Sequence, residues 1–180
     1  MRPVLVVIGG LPGTGKSTIA AALARETATP YLRVDRIEQA IVAASSLSHP
    51  LGSVGYAVAH QLATEQLQAG LDVVVECVNP LALTRDAWSQ TAARSGAAIV
   101  EVEVVCSDRA EHRRRVETRD SDVDGLVKPT WTEVIEREYE PWARQPVRVD
   151  SAETPVARAV QQIGEQMRAV REGHHPASRG

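Results

Sequence analysis

An α/β fold, a parallel β-sheet covered by helices on both faces, is what the sequence predicts, on two observations. Apolar, β-branched runs alternate along the chain with patterns of helical period, as they do when each strand returns to the sheet through a crossover helix. Between the first such run and the first helical pattern stands Gly10-Leu11-Pro12-Gly13-Thr14-Gly15-Lys16-Ser17, a glycine-rich loop of the kind that turns a strand into a helix around phosphate groups. With 180 residues, 43% of them hydrophobic, the chain has the size of one domain with one sizeable core. That domain is expected over residues 1–172, with a disordered tail at 173–180 that holds no core-forming residue.

Five strands are expected, at 3–8, 30–34, 72–78, 97–105 and 146–149. Only the fourth alternates, in Val100-Glu101-Val102-Glu103-Val104, so one of its faces is expected to be partly polar. The first helix, 18–27, carries Ile19, Leu23 and several alanines that permit close packing on the sheet. A second helix at 35–44 is broken by the serines, Pro50 and Gly52 of 45–52, a candidate substrate loop. The next helix covers 54–69 and ends at Gly70. Asn79-Pro80 turns the chain into a helix at 84–94, and a basic helix follows at 107–119. The acidic stretch 120–125 has the composition of a mobile loop. After it, Thr130-Trp131-Thr132-Glu133 has the form of a capping box, and Trp131, Tyr139 and Trp142 are expected to pack the helix that it opens. An amphipathic helix at 155–171 closes the fold.

A net charge of -3, with three Trp, three Tyr and no Phe, gives neither a basic field nor many stacking platforms and speaks against a nucleic-acid partner. Cys77 and Cys106 lack metal-knuckle or C-x-x-C spacing and read as buried reduced thiols. The N-terminal apolar segment is too short for a signal peptide and no run is long enough for a bilayer, so a cytoplasmic protein without membrane attachment is expected. Oligomeric state has no sequence signal.

The spacing G-x-x-x-x-G-K-S places glycine where backbone N–H groups must converge on phosphate oxygens. Gly10, Gly13, Thr14, Gly15, Lys16, Ser17 and Thr18 are therefore the candidate nucleotide-binding residues of a P-loop. Lys16 would reach the β- and γ-phosphates, and the Ser17 hydroxyl is placed to ligate the Mg2+ of a nucleoside triphosphate. Asp35 follows the second strand at the sheet edge that carries this loop. It is either the general base that takes a proton from an incoming hydroxyl, or an N-cap or first-turn acid of the helix it opens. Glu76 ends the apolar run Val73-Val74-Val75, the Walker B pattern, and either orients the metal or fixes loops at the sheet edge. Arg115 and Arg119, four apart, share a helix face before the acidic stretch. They are either lid residues that neutralise charge on the transferring phosphoryl group or part of a solvated basic face paired with Glu111 and Glu117. Arg113 and Arg114 would take the lid role on a rotated helix. His49, His60 and His112 are isolated and receive no function. Arg36, the 45–54 loop and the Asn79-Pro80 turn would border the acceptor.

Taken together, residues 10–18, Asp35-Arg36, Glu76 and Arg115/Arg119 resemble the small P-loop kinase group of chloramphenicol phosphotransferase, zeta toxins, gluconate kinase and the kinase domain of polynucleotide kinases. The resemblance spans roughly residues 1–150. It implies a P-loop NTPase-type three-layer fold with strand order 2-3-1-4-5 and a small helical lid at about 113–130. It further implies ATP and Mg2+ as cofactors, a hydroxyl acceptor such as a nucleoside, sugar or antibiotic, Asp35 as base with Arg36 beside it on the substrate, and the lid arginines on ATP. Glu76 departs from the more usual Asp. The lack of an N-K-x-D motif speaks against a GTPase. A nucleotide-dependent switch and a polynucleotide 5′-hydroxyl kinase stand as the alternatives.

Overall fold

The computed structural model describes residues 1–118 and 128–173. Twelve elements follow one another in these residues: β1 (Val4–Gly9), α1 (Lys16–Thr27), β2 (Tyr31–Arg33), α2 (Val34–Ala44), α3 (Val54–Gln68), β3 (Val73–Glu76), α4 (Ala82–Arg94), β4 (Ala98–Val105), α5 (Arg109–Thr118), α6 (Trp131–Ile135), β5 (Val147–Asp150) and α7 (Val156–Arg171). The five strands form one sheet in the order β2-β3-β1-β4-β5, and every pairing is parallel. The P-loop fold and the 2-3-1-4-5 order are both present.

Strand β1 is central and buried along its whole length, and its alternate residues face two cores. Val4, Val6 and Ile8 meet Ile19 and Leu23 of α1 and Val160, Ile163 and Met167 of α7. Leu5 and Val7 meet Ala59, Ala63 and Leu67 of α3 and Trp88 and Ala92 of α4. The valine, leucine, isoleucine and methionine side chains among these are fully or nearly fully buried, and each contributes about 1.5–3 kcal/mol through removal from water. On β4, buried and half-buried residues alternate, which puts Glu101 and Glu103 on the partly polar face expected of them.

Several expectations shift. Helix α1 begins at Lys16 rather than at 18, directly after Gly15 at φ 89°, and β3 stops at Glu76 because Asn79 turns the chain at φ 52°. The capping box at Thr130 and Glu133 is formed, but α6 has only five residues. Tyr139 and Trp142 pack elsewhere: their rings flank the Arg85 guanidinium of α4 at 5.1 and 4.2 Å. Cys77 is buried as expected, whereas Cys106 is half-exposed, since it stands just past the end of β4. Arg119, the acidic stretch, half of the expected lid and the tail beyond Gly173 lie outside the described residues.

Candidate nucleotide-binding site

Between β1 and α1 the loop closes tightly on its neighbours. A side chain at Gly10 would meet the Val104 carbonyl at 2.4 Å, and one at Gly13, where φ is +82°, would meet Val116 of α5 at 2.5 Å. Only glycine admits both the backbone conformation and the contact. Thr14 donates from Oγ1 to the Leu11 carbonyl at 2.9 Å. Lys16 is 4% exposed and its Nζ lies 3.5 Å from the same carbonyl, so the ammonium folds over the loop it serves. Thr18 is exposed and, with Ser17, borders a cleft of about 680 Å³ between α1 and α2.

Beneath the loop, the Ser17 hydroxyl donates to Glu76 Oε1 at 2.5 Å. Glu76 is 1% exposed, and its other oxygen accepts from the Tyr31 hydroxyl and lies 3.4 Å from Arg33 Nε. Glu76 and Arg33 are register partners across β3 and β2, and this brings the guanidinium to the carboxylate. Both readings of Glu76 thus have a physical basis: the carboxylate ties β2 to β3, and it sits against the hydroxyl that a phosphate-bound cation would use. Among the described residues no group of three or more His, Cys, Asp or Glu gathers to hold a metal ion. The Ser17 and Glu76 pair instead suits Mg2+, which takes one or two protein oxygens and fills its shell with phosphate and water.

Asp35 is half-buried in the first turn of α2. The N-cap is Arg33, without a side-chain cap bond, so Asp35 is a first-turn acid and not an N-cap. Burial above all, then the Asp35 charge, raises Glu38 above the usual carboxylate range. Tyr56, at the start of α3, is likewise raised above the usual phenol range, by burial first and then by Cys77, with Asp35 a smaller cause. Asp35 therefore faces the α3 side of α2, while Arg36 is exposed and borders the α1 cleft. The Asn79 N–H donates to the Tyr56 hydroxyl at 3.4 Å. Asn79 itself is completely buried with both side-chain amide atoms unpartnered. Tyr56 and the Asn79 turn thus stand at the carboxyl end of β3, and Asp35 is close enough to Tyr56 for its charge to act there.

On the other flank, Arg115 donates from Nε to Glu111 at 2.7 Å and from Nη1 to Ser151 Oγ at 2.8 Å. Its Nη1 would lie 3.7 Å from a side chain at Gly15, so Arg115 borders the loop. Arg113 and Arg114 are exposed and pair with Glu117 and Glu111, the solvated arrangement. His112, given no function from sequence, donates from Nε2 to the Pro12 carbonyl at 2.8 Å. Tyr31, Arg33 and His112 carry no local sequence signal, because each reaches the site through pairing with residues 43 or more positions away.

No curated protein matches the sequence. Among solved structures, a provisionally named kinase from Chloroflexus aurantiacus j-10-fl aligns with TM-score 0.75 at 19% identity, covering 93% of this chain and 97% of the other. A gluconokinase from Sinorhizobium meliloti 1021 gives 0.65 at 21% identity, covering 97% and 100%. The Mycobacterium tuberculosis APS kinase, in complex with AMPPNP and APS, gives 0.67 at 20% identity, covering 94% and 98%. At these identities the likeness is one of fold. The family model described as AAA domain matches residues 5–138, which takes in the phosphate loop, Asp35, Glu76 and Arg115, and the chain belongs to that family.

Proposed function

We propose that the protein is an ATP-dependent phosphotransferase that moves the γ-phosphoryl group of ATP to a hydroxyl of a small molecule such as a nucleoside, sugar or antibiotic. The observation that carries this reading is the Ser17–Glu76 contact at the foot of a glycine cradle, with Asp35 standing at the end of the neighbouring strand. That the fold is shared with a kinase solved in complex with AMPPNP and APS supports a nucleoside triphosphate as donor. Mg2+, held by Ser17 and Glu76, would neutralise phosphate charge and orient the β- and γ-phosphates.

In the proposed step the acceptor oxygen forms its bond to the γ-phosphorus as the bond to the β,γ-bridging oxygen breaks. ADP leaves, and the acceptor proton passes to the Asp35 carboxylate. Lys16 and the loop N–H groups hold the phosphates in place, and Arg115, once released from Ser151, and Arg119 would offset charge on the transferring group. Arg36, which borders the α1 cleft, would meet an acceptor that enters beside α2.

A metabolite library screened by ADP formation identifies the acceptor. With it in hand, Asp35→Asn should retain ATP binding and lose transfer by about 10²–10⁴-fold, whereas Lys16→Ala should lose both. Undiminished transfer by Asp35→Asn removes Asp35 from the base role. ADP formation that ignores every hydroxyl acceptor but responds to a protein partner points to a nucleotide-dependent switch.

A further inference from the structure

His112 is 8% exposed, lies on α5 and meets the edge of the Trp131 ring at 5.1 Å between centroids. A carbonyl oxygen only accepts, so the 2.8 Å contact to Pro12 requires the proton on Nε2. Across a trans peptide the carbonyl and the following N–H point to opposite sides, and the Pro12–Gly13 bond is trans. Fixing the Pro12 carbonyl toward α5 therefore turns the Gly13 N–H the other way, away from α5. Among the described residues, that N–H has no hydrogen-bond acceptor. Val116, one turn along α5, packs against Gly13 so closely that a Cβ there would meet it at 2.5 Å, which keeps the loop seated on this helix.

We propose that His112 is a positioning residue for the phosphate loop, holding the Pro12 carbonyl so that the Gly13 N–H faces the phosphates of a bound nucleotide. The inference rests on the nucleotide-binding part of the proposed function and not on the identity of the acceptor. It also gives α5 a role independent of Arg115: His112 sets the loop backbone at Pro12, while Arg115 reaches Gly15 at the loop's helical end.

The test measures Mg·ATP binding by titration calorimetry, with thermal unfolding alongside, for wild type, His112→Phe and His112→Gln. Phe keeps a ring against Trp131 and removes the donor, and Gln offers an amide donor at similar reach. Loss of one buried hydrogen bond predicts about tenfold weaker binding for His112→Phe, with His112→Gln returning to within about threefold of wild type. A folded His112→Phe that binds as wild type overturns the proposal, and so does an equal loss in both variants. Wild-type protein that binds no ATP overturns the functional reading instead. Should a variant fail to fold, the wild-type Gly13 amide resonance decides: a downfield shift on adding Mg2+ and a non-hydrolysable ATP analogue is expected, and an unmoved resonance overturns the proposal.

Discussion

Two cysteines twenty-nine residues apart differ in chemistry because only one is sealed from water. Burial pushes the Cys77 thiol up to about 12, so at pH 8 almost no thiolate is present to react. In the native protein iodoacetamide should modify the half-exposed Cys106 and leave Cys77 untouched until urea unfolds the chain, as peptide mass spectrometry will read out. Cys77 labelling at the same rate in native protein would mean that the β3 end opens. At this scale the sequence was informative where chemistry is local. Glycine spacing marked the phosphate loop, and an acid closing an apolar run marked Glu76. It was silent on Tyr31 and Arg33, whose approach to Glu76 depends on the β2–β3 register, and on His112, whose partner lies 100 positions earlier.

Helix α5 shows how one carboxylate holds neighbouring side chains in place. Glu111 accepts from Arg114 Nε and Nη2 and from Arg115 Nε, each at 2.7 Å. These bonds, Arg114's first, lower its carboxyl from the usual 4.5 to about 2. A carboxyl that is lowered on folding contributes stability above its unfolded value, and loses it as pH falls toward the folded one. Between about pH 4.5 and 2, wild type should therefore lose more stability than Glu111→Gln, measured as the gap between their thermal midpoints across that range. Parallel slopes for the two proteins would show that Glu111 does not hold Arg115. The capping box of α6 was legible because its partners are three residues apart. The destination of Tyr139 and Trp142 was not, because a cation on α4 draws those rings and no periodicity encodes it.

Across the whole molecule the segment that returns to β5 is tied to the Asn79-Pro80 turn by one buried guanidinium. Arg85 is 2% exposed and donates to the carbonyls of Asn79, Pro80, Glu140 and Pro141 at 2.7 to 3.1 Å. Glu140 answers by accepting from the Ala82 N–H at the start of α4 at 2.6 Å. Arg85→Met keeps the length, removes every donor and should cost about 3–5 kcal/mol in urea unfolding. Arg85→Lys should recover little of it, since an ammonium cannot serve four divergent carbonyls; full recovery by Lys would refute the clamp. Parallel order and both core faces were readable from alternating patterns, but contacts between residues 79–85 and 139–142 come from tertiary closure alone. The margins of the sheet carry a last consequence. Strand β2 has three residues and includes Arg33, and β5 has four, with Arg148 and Asp150 among them. Borders so short and so charged offer an incoming strand few ladder bonds, so concentrated solutions should resist edge-to-edge aggregation even though valine makes up ten of the eighteen residues of the interior strands.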